Sequence, residues 1–232
     1  MPGFSQSRMA AKLQDMVSQR REEVGLYKEI AEKLPLPDKG RLLDVGTGSG
    51  LQLKAVHDVR PNLELFGLDI SGAAIRVARR NLTGMEVDLR VGSIEHTAYD
   101  DDFFDIVTCN ASMSYWKNPV ACLDEIYRIL KPGGLASLFE PQKDIDIDQV
   151  VEIINANLAD KSRLRRFMAV NLNKFGLRWG RTLGLKIYSV QELAAMANRS
   201  RFGANHSIAR ITLQNLPIFV RIALMKPGEE PG

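Results

Sequence analysis

The sequence predicts an open α/β sheet in a single domain, closed by a terminal hairpin. Three observations predict it. Short apolar runs alternate with helical runs from about residue 40 to residue 140. Three glycines, Gly46, Gly48 and Gly50, fall between the first strand and the first helix of that series. Two strand-like segments, His206–Leu213 and Leu216–Met225, follow one another with no helix between them. Parallel neighbours need a long crossover, so the alternation gives a parallel sheet and the last two strands pair antiparallel.

Each element has its own signal. Residues 5–34 carry Met9, Leu13, Met16, Val17, Val24, Leu26, Tyr27 and Ile30 at roughly helical spacing. Gly25 is a point where the helix breaks or kinks, and Pro35 and Pro37 stop it. Arg41–Val45 is a strand, Leu51–Val59 a helix ended before Pro61, and Leu63–Asp69 a strand. Ser71–Leu82 is a helix with Ser71 as N-cap. Met85–Val91 and Phe104–Asn110 are strands, and Pro119–Leu130 is a helix with proline in its first turn. The turn Lys131-Pro132-Gly133-Gly134 leads into a strand over Gly134–Phe139. Ser189–Arg199 is a helix with Ser189 and Glu192 spaced as a capping box.

Composition sets limits on function. With 232 residues, 45% hydrophobic and 25% charged, the chain has ample material for one buried core and too much apolar content for general disorder. Cys109 and Cys122 are the only cysteines, so a disulfide scaffold is excluded and free core thiols in a reducing compartment are expected. The most apolar stretch, Ile211 to Met225, is broken by Gln214, Asn215, Pro217 and Arg221, whereas a membrane span needs about 20 apolar residues. The start, MPGFSQSRMAAKLQ, lacks the hydrophobic core of a signal peptide, so a cytoplasmic protein is expected. A net charge of +3, from 31 basic and 28 acidic residues, is too even to imply nucleic acid.

The charge is unevenly placed, however. Asp144, Asp146, Asp148 and Glu152 precede a stretch with Lys161, Arg163, Arg165, Arg166, Lys174, Arg178, Arg181 and Lys186 and no acid. Apolar residues up to Trp179 are interleaved. Residues 143–187 therefore read as an insertion. It forms either an apolar pocket with an Arg or Lys clamp for a carboxylate or phosphate, or a solvated basic face.

The chemistry concentrates at Leu42-Leu43-Asp44-Val45-Gly46-Thr47-Gly48-Ser49-Gly50. Glycines there let the backbone approach a ligand beside the free N–H groups of a helix start. A dinucleotide fingerprint would place its third glycine at position 51, which is Leu. Asp44 would also repel a pyrophosphate and suits a positively charged ligand instead. No Lys-Ser or Lys-Thr follows the glycines, which excludes a P-loop. Asp69 closes the next strand 23 positions after Gly46, where a carboxylate can accept both hydroxyls of a ribose.

These residues resemble the class I S-adenosylmethionine-dependent methyltransferases. Val91-Gly92-Ser93-Ile94-Glu95, Phe103-Phe104-Asp105-Ile106-Val107, Arg128-Ile129-Leu130-Lys131-Pro132-Gly133-Gly134 and Lys226-Pro227 look like further segments of that family. The resemblance covers about residues 40–142 and 187–227. It implies a Rossmann-like seven-stranded sheet in the order 3-2-1-4-5-7-6, an N-terminal helical cap over residues 1–37 and a lid over residues 143–187. It implies that Gly46, Thr47, Gly48 and Gly50 lie under S-adenosylmethionine, with Asp44 near the methionine ammonium. Asp69 would hold the ribose and Ile70 would pack on adenine. Ser93 and Ile94 would flank the adenine amine, and Asn110 and Ala111 would line the methionine side. Relatives commonly carry Asp where Ser93 stands, and a neutral hydroxyl is the weaker partner.

A sulfonium methyl is already activated, so the expected reaction needs no metal. The protein must align a nucleophile with the carbon–sulfur bond. Tyr115 and Asn110 are the candidate catalytic residues, and Tyr27, Tyr115, Trp116, Arg178, Trp179 and Arg181 the candidate substrate contacts. The segment Asn110-Ala111-Ser112-Met113-Ser114-Tyr115-Trp116 is not the Asn-Pro-Pro-Tyr motif of many amine methylases, which argues against DNA bases. The expected acceptor is a small molecule, an anionic one among the candidates. Two rivals stand beside it: RNA or a protein side chain as acceptor, and a cofactor-binding protein without catalysis. The sequence assigns no oligomeric state.

Overall fold

The computed structural model describes residues 25–143, 145, 146, 149, 150, 152, 153 and 186–228. The predicted helix over residues 5–24 and most of the 143–187 segment, with Arg178, Trp179 and Arg181, lie outside the described residues. The elements are α1 (Leu26–Lys33), β1 (Gly40–Val45), α2 (Leu51–Val59), β2 (Leu63–Asp69), α3 (Gly72–Asn81), β3 (Val87–Val91) and β4 (Phe104–Asn110). A 3-10 turn (Met113–Tyr115), α4 (Pro119–Ile129), β5 (Leu130–Pro141), α5 (Val190–Arg199), β6 (His206–Leu213) and β7 (Leu216–Met225) follow.

The seven strands form one sheet in the order β3-β2-β1-β4-β5-β7-β6. Neighbours from β3 to β5 pair parallel, and β7 pairs antiparallel with both β5 and β6. Gln214 and Asn215 both take positive φ, 52° and 61°, the conformation of a two-residue hairpin turn. Strand order reverses between β1 and β4. That reversal opens a crevice at the carboxyl ends of the strands, where ligands of open α/β sheets bind.

Strand alternation divides the core into two layers. Leu42, Leu65, Ile106 and Phe139 face α1 and α2, packing with Ile30, Leu53 and Val56. Leu43, Leu68, Val107 and Leu138 face the other way and pack with Ile126, Leu193 and Ala197 of α4 and α5. Each such side chain contributes roughly 1.5–3 kcal/mol on burial. Cys109 and Cys122 are buried and free. Among the described residues no helix is long and apolar enough to cross a membrane.

Most predicted elements agree to within two residues. The capping box of α5 is present, Ser71 caps α3 and Asn118 caps α4 ahead of Pro119. Gly25, at φ +73°, stands in the left-handed conformation before Leu26, at the point where the helix was expected to break or kink. One element differs. The fifth strand starts at Leu130, not Gly134. Leu130 already pairs with Phe104, and the Lys131-Pro132-Gly133-Gly134 segment is absorbed as an irregularity before pairing resumes at Ile106 and Leu135.

Candidate cofactor site

The glycine turn is built from β1 into α2. Gly46 and Thr47 donate their backbone N–H groups to the Leu68 carbonyl at 2.8 and 3.1 Å, tying the turn to β2. Gly46, Gly48 and Gly50 all have positive φ, 72°, 55° and 78°. A side chain at Gly46 would collide with Cβ of Ser112, which packs against it from the segment after β4.

Asp69 clasps this turn. Its Oδ2 accepts the Gly48 N–H at 2.9 Å and its Oδ1 accepts the Ser71 N–H at 2.8 Å. Each carboxylate oxygen has a second lone pair, so two more hydrogen bonds can be accepted. The capping of α3 belongs to Ser71, whose hydroxyl accepts the Ala74 N–H. Asp69 is only 8% exposed. Burial pushes its pKa up, and the Ser71 and Gly48 N–H groups draw it back down.

Asp44 lies deeper, at 2% exposure. Burial pushes its pKa up to about 7; the Thr47 hydroxyl opposes the shift and the Asp69 carboxylate adds to it. A carboxyl group in this state gains from a cation placed beside it.

The adenine side of the resemblance also gathers here. Ile70 is 52% exposed, an uncommon position for a large aliphatic side chain. Val91, which pairs with Asp69 in register, is 59% exposed. The sequence marked Val91 only as the first residue of the Val91-Gly92-Ser93-Ile94-Glu95 segment, with no role of its own; its place at the end of β3, beside the end of β2, is the signal that identifies it. Ser93 accepts the Glu95 N–H at 3.2 Å. The Ile94 side chain is buried in the core, so its backbone is what it can present to a ligand. The following loop is fixed by Glu125 of α4. Its Oε1 accepts both the backbone and the hydroxyl of Thr97 at 2.7 Å, and Arg128 donates to both its oxygens at 2.7 and 2.9 Å. Burial alone would raise its pKa, but Arg128 and Thr97 hold it at about 2.

At the end of β4, Asn110 joins a buried chain of hydrogen bonds that the sequence reading missed. The Ser137 carbonyl can only accept, and it takes the Thr108 hydroxyl proton at 3.2 Å. Thr108 Oγ1 therefore accepts from Gln52 Nε2 at 3.2 Å, which turns Gln52 Oε1 toward Asn110 Nδ2 at 3.1 Å. The direction of the chain fixes the Asn110 amide. Its Oδ1 is buried and has no hydrogen-bond partner among the described residues. The available signal was Gln52 itself, a polar residue among Leu51, Leu53 and Val56 on a short helix.

The remaining candidates separate. Asp44, the glycine turn, Asp69, Ile70, Asn110 and Ala111 converge at the carboxyl ends of β1, β2 and β4. Tyr115, on the 3-10 turn, is 60% exposed beside them. Trp116 instead enters the core with Met113, and Tyr27 packs in the layer under α1. Both are large apolar surfaces on segments whose other side faces the sheet, and burial takes them away from the crevice. A cavity of about 210 Å³ opens farther along, beyond the end of β5, lined by Gln142, Asp146, Gln149, Arg210, Ile211, Thr212 and Pro217.

Comparison with known proteins bears on the domain and its fold. Residues 43–138 match the model of a methyltransferase domain. A ubiquinone biosynthesis O-methyltransferase of Alkalilimnicola ehrlichii is 37% identical over 97 residues, 40% of this chain and 38% of that protein. The chain spans between 38% and 58% of the length of the curated relatives it matches. Among solved structures, a SAM-dependent methyltransferase from Aquifex aeolicus superposes with a TM-score of 0.65 at 15% identity, covering 95% of this chain and 98% of its own. Geranyl diphosphate C-methyltransferase from Streptomyces coelicolor, complexed with S-adenosyl-L-homocysteine, superposes with a TM-score of 0.63 at 16% identity, covering 89% and 80%. Residues 43–138 thus form a methyltransferase domain, and the seven-stranded sheet around it has the Rossmann-like fold of the methyltransferase structures on which it superposes.

Proposed function

We propose that the protein transfers a methyl group from S-adenosylmethionine to a small-molecule acceptor by direct displacement. The observation that carries this reading is the clasp between Asp69 and the glycine turn. A ribose fits it, because the two lone pairs left on Asp69 suit two neighbouring hydroxyls. The ammonium of the methionine part suits Asp44, and Ile70 and Val91 offer apolar flanks for adenine. When bound, the cofactor supplies a methyl already activated on a sulfonium.

The chain's own task is alignment and exclusion of water. Asn110 and Ala111 border the methionine side, and the Tyr115 phenol is the exposed group next to them that can meet an acceptor's proton. A small acceptor is supported by the relatives' names, one for ubiquinone biosynthesis and one for geranyl diphosphate. An anionic one is supported by the bases of the 143–187 segment, Arg178 and Arg181 among them, which we read as a lid.

Calorimetric titration with S-adenosylmethionine, S-adenosylhomocysteine and NAD tests the cofactor. Binding of the first two and not the third is expected; failure of both sulfur ligands to bind would remove the reading. A panel of phenols, isoprenoid diphosphates, RNA and protein with labelled cofactor then tests the acceptor. Transfer to RNA that weakens with salt would replace the small-molecule reading. Binding without any transfer would leave a non-catalytic cofactor-binding protein.

A further inference from the structure

Glu140 lies at the end of β5, and nothing in the sequence reading marked it. It is 3% exposed, on the sheet face opposite Asn110 and Thr108. Its Oε1 accepts two consecutive backbone N–H groups, Ser112 and Met113, each at 3.0 Å. The Cys109 thiol approaches the same oxygen at 3.5 Å. Those two N–H groups belong to the segment that leaves β4, directly after Ala111.

Ala111 has φ +55°, a left-handed conformation that a residue with a side chain holds only when its surroundings impose it. Two hydrogen bonds to one buried oxygen are such surroundings. The consequence reaches β1. Ser112, held by Glu140, donates its hydroxyl to the Val45 carbonyl at 3.1 Å and fills the space beside Gly46 that a side chain would take. Glu140 therefore ties the end of β5 to the exit of β4, and through Ser112 to the start of the glycine turn.

We infer that Glu140 is a positioning residue for methyl transfer: it sets the Ala111–Met113 turn, and with it the walls on both sides of the methionine part of the cofactor. This rests on the cofactor reading above. The role is one of length and acceptor geometry. A carboxamide oxygen of the same reach can receive both N–H groups, whereas a carboxyl group drawn back by one methylene cannot.

Two variants separate geometry from acidity. Glu140→Gln keeps the reach and removes the acid. Glu140→Asp keeps the acid and shortens the reach. The measurements are the Kd for S-adenosylhomocysteine by calorimetry and the hydrogen exchange of the Ser112 and Met113 amides by NMR, with circular dichroism as the check on folding. Glu140→Gln is expected to bind within about threefold of wild type with both amides protected. Glu140→Asp is expected to bind at least about tenfold more weakly, with both amides exchanging faster, as loss of the paired bonds to a buried oxygen predicts. In turnover, Glu140→Asp should raise the cofactor KM more than it lowers kcat. Wild-type affinity and protection in Glu140→Asp, or the reverse ranking of the two variants, would overturn the inference. Should Glu140→Asp fail to fold, Glu140→Gln decides alone: binding weakened about tenfold or more, or fast exchange of both amides, in that folded variant overturns the inference. A wild-type protein that binds no S-adenosylhomocysteine would instead overturn the cofactor reading and this role together.

Discussion

The Gly48 backbone N–H points at Asp69 Oδ2 from 2.9 Å, so the residue expected to hold a ribose also shapes the turn beneath it. Asp69 thus carries two loads, one internal and one toward a ligand. Asp69→Ala should weaken cofactor binding at least tenfold, since a lost charged hydrogen bond costs more than about 1.4 kcal/mol. It should also lower stability by roughly 1–3 kcal/mol, because the buried Gly48 and Ser71 N–H groups lose their acceptor. Calorimetry and a denaturant titration separate the two effects. An unchanged Kd would take Asp69 out of the site whatever the stability does.

Asp44 gives a pH dependence whose sign follows from burial. Its pKa of about 7 lies above the unfolded value of 3.8, so the folded chain keeps a proton that the unfolded chain releases between those values. The stability this group contributes is full below about pH 4 and is lost as pH rises through about 7. Asp44→Asn should therefore raise Tm relative to wild type more at pH 8 than at pH 5. Ligand binding runs the other way. A cation beside Asp44 favours the ionised form, so affinity for S-adenosylmethionine should rise roughly three- to tenfold from pH 6 to pH 8. Titrations at pH 6.5 in two buffers of different ionisation enthalpy should show a proton released on binding. No release would mean that Asp44 is already ionised or remote from the ligand.

Much of this fold is written in local pattern. The Gly46–Gly50 turn, the Ser189 and Glu192 pair and the Gln214-Asn215 hairpin each depend on residues within a few positions, and all three were legible. The convergence of Asp44, the glycine turn and Asp69 at the strand ends was legible for the same reason, because strand ends and glycines are local signals. What the sequence hid are partners far apart along the chain. Glu140 acts on Ser112 across 28 positions and Gln52 on Asn110 across 58. A polar residue next to an apolar run looks the same whether it faces water or a buried partner, and only the register of β4 with β5 decides. Trp116 and Tyr27 failed in the opposite sense, since an aromatic ring suits a ligand pocket and a core equally well.

Glu125 offers a test of the loop on the adenine side. It is nearly buried, and Arg128 and Thr97 hold its pKa at about 2, below the ordinary value of 4.5. Its contribution to stability is present above about pH 4.5 and is lost as pH falls toward 2. Glu125→Gln should destabilise the protein at pH 7 by roughly 1–3 kcal/mol, with the difference from wild type shrinking in acid. The same variant should loosen the loop that carries Ser93 and Ile94, and so weaken binding of adenosine-containing ligands. A pH-independent loss of stability would show that packing, not the carboxylate, is what Glu125 supplies.

The chain from Ser137 through Thr108 and Gln52 to Asn110 makes the last prediction a matter of coupling. Thr108→Val keeps the shape of the side chain and removes the hydroxyl that directs the Gln52 amide. Gln52→Leu removes the amide that directs Asn110. Each should weaken binding of S-adenosylmethionine by about three- to tenfold, near the value of a single neutral hydrogen bond. Because both act by freeing the same Asn110 amide, the double variant should lose little more than either single one. Strictly additive losses would mean that Thr108 and Gln52 act separately, and that the orientation of Asn110 is set elsewhere. Coupled losses, with the protein still folded, would place the control of the methionine side on the opposite sheet face from Glu140, so that the exit of β4 is gripped from both sides.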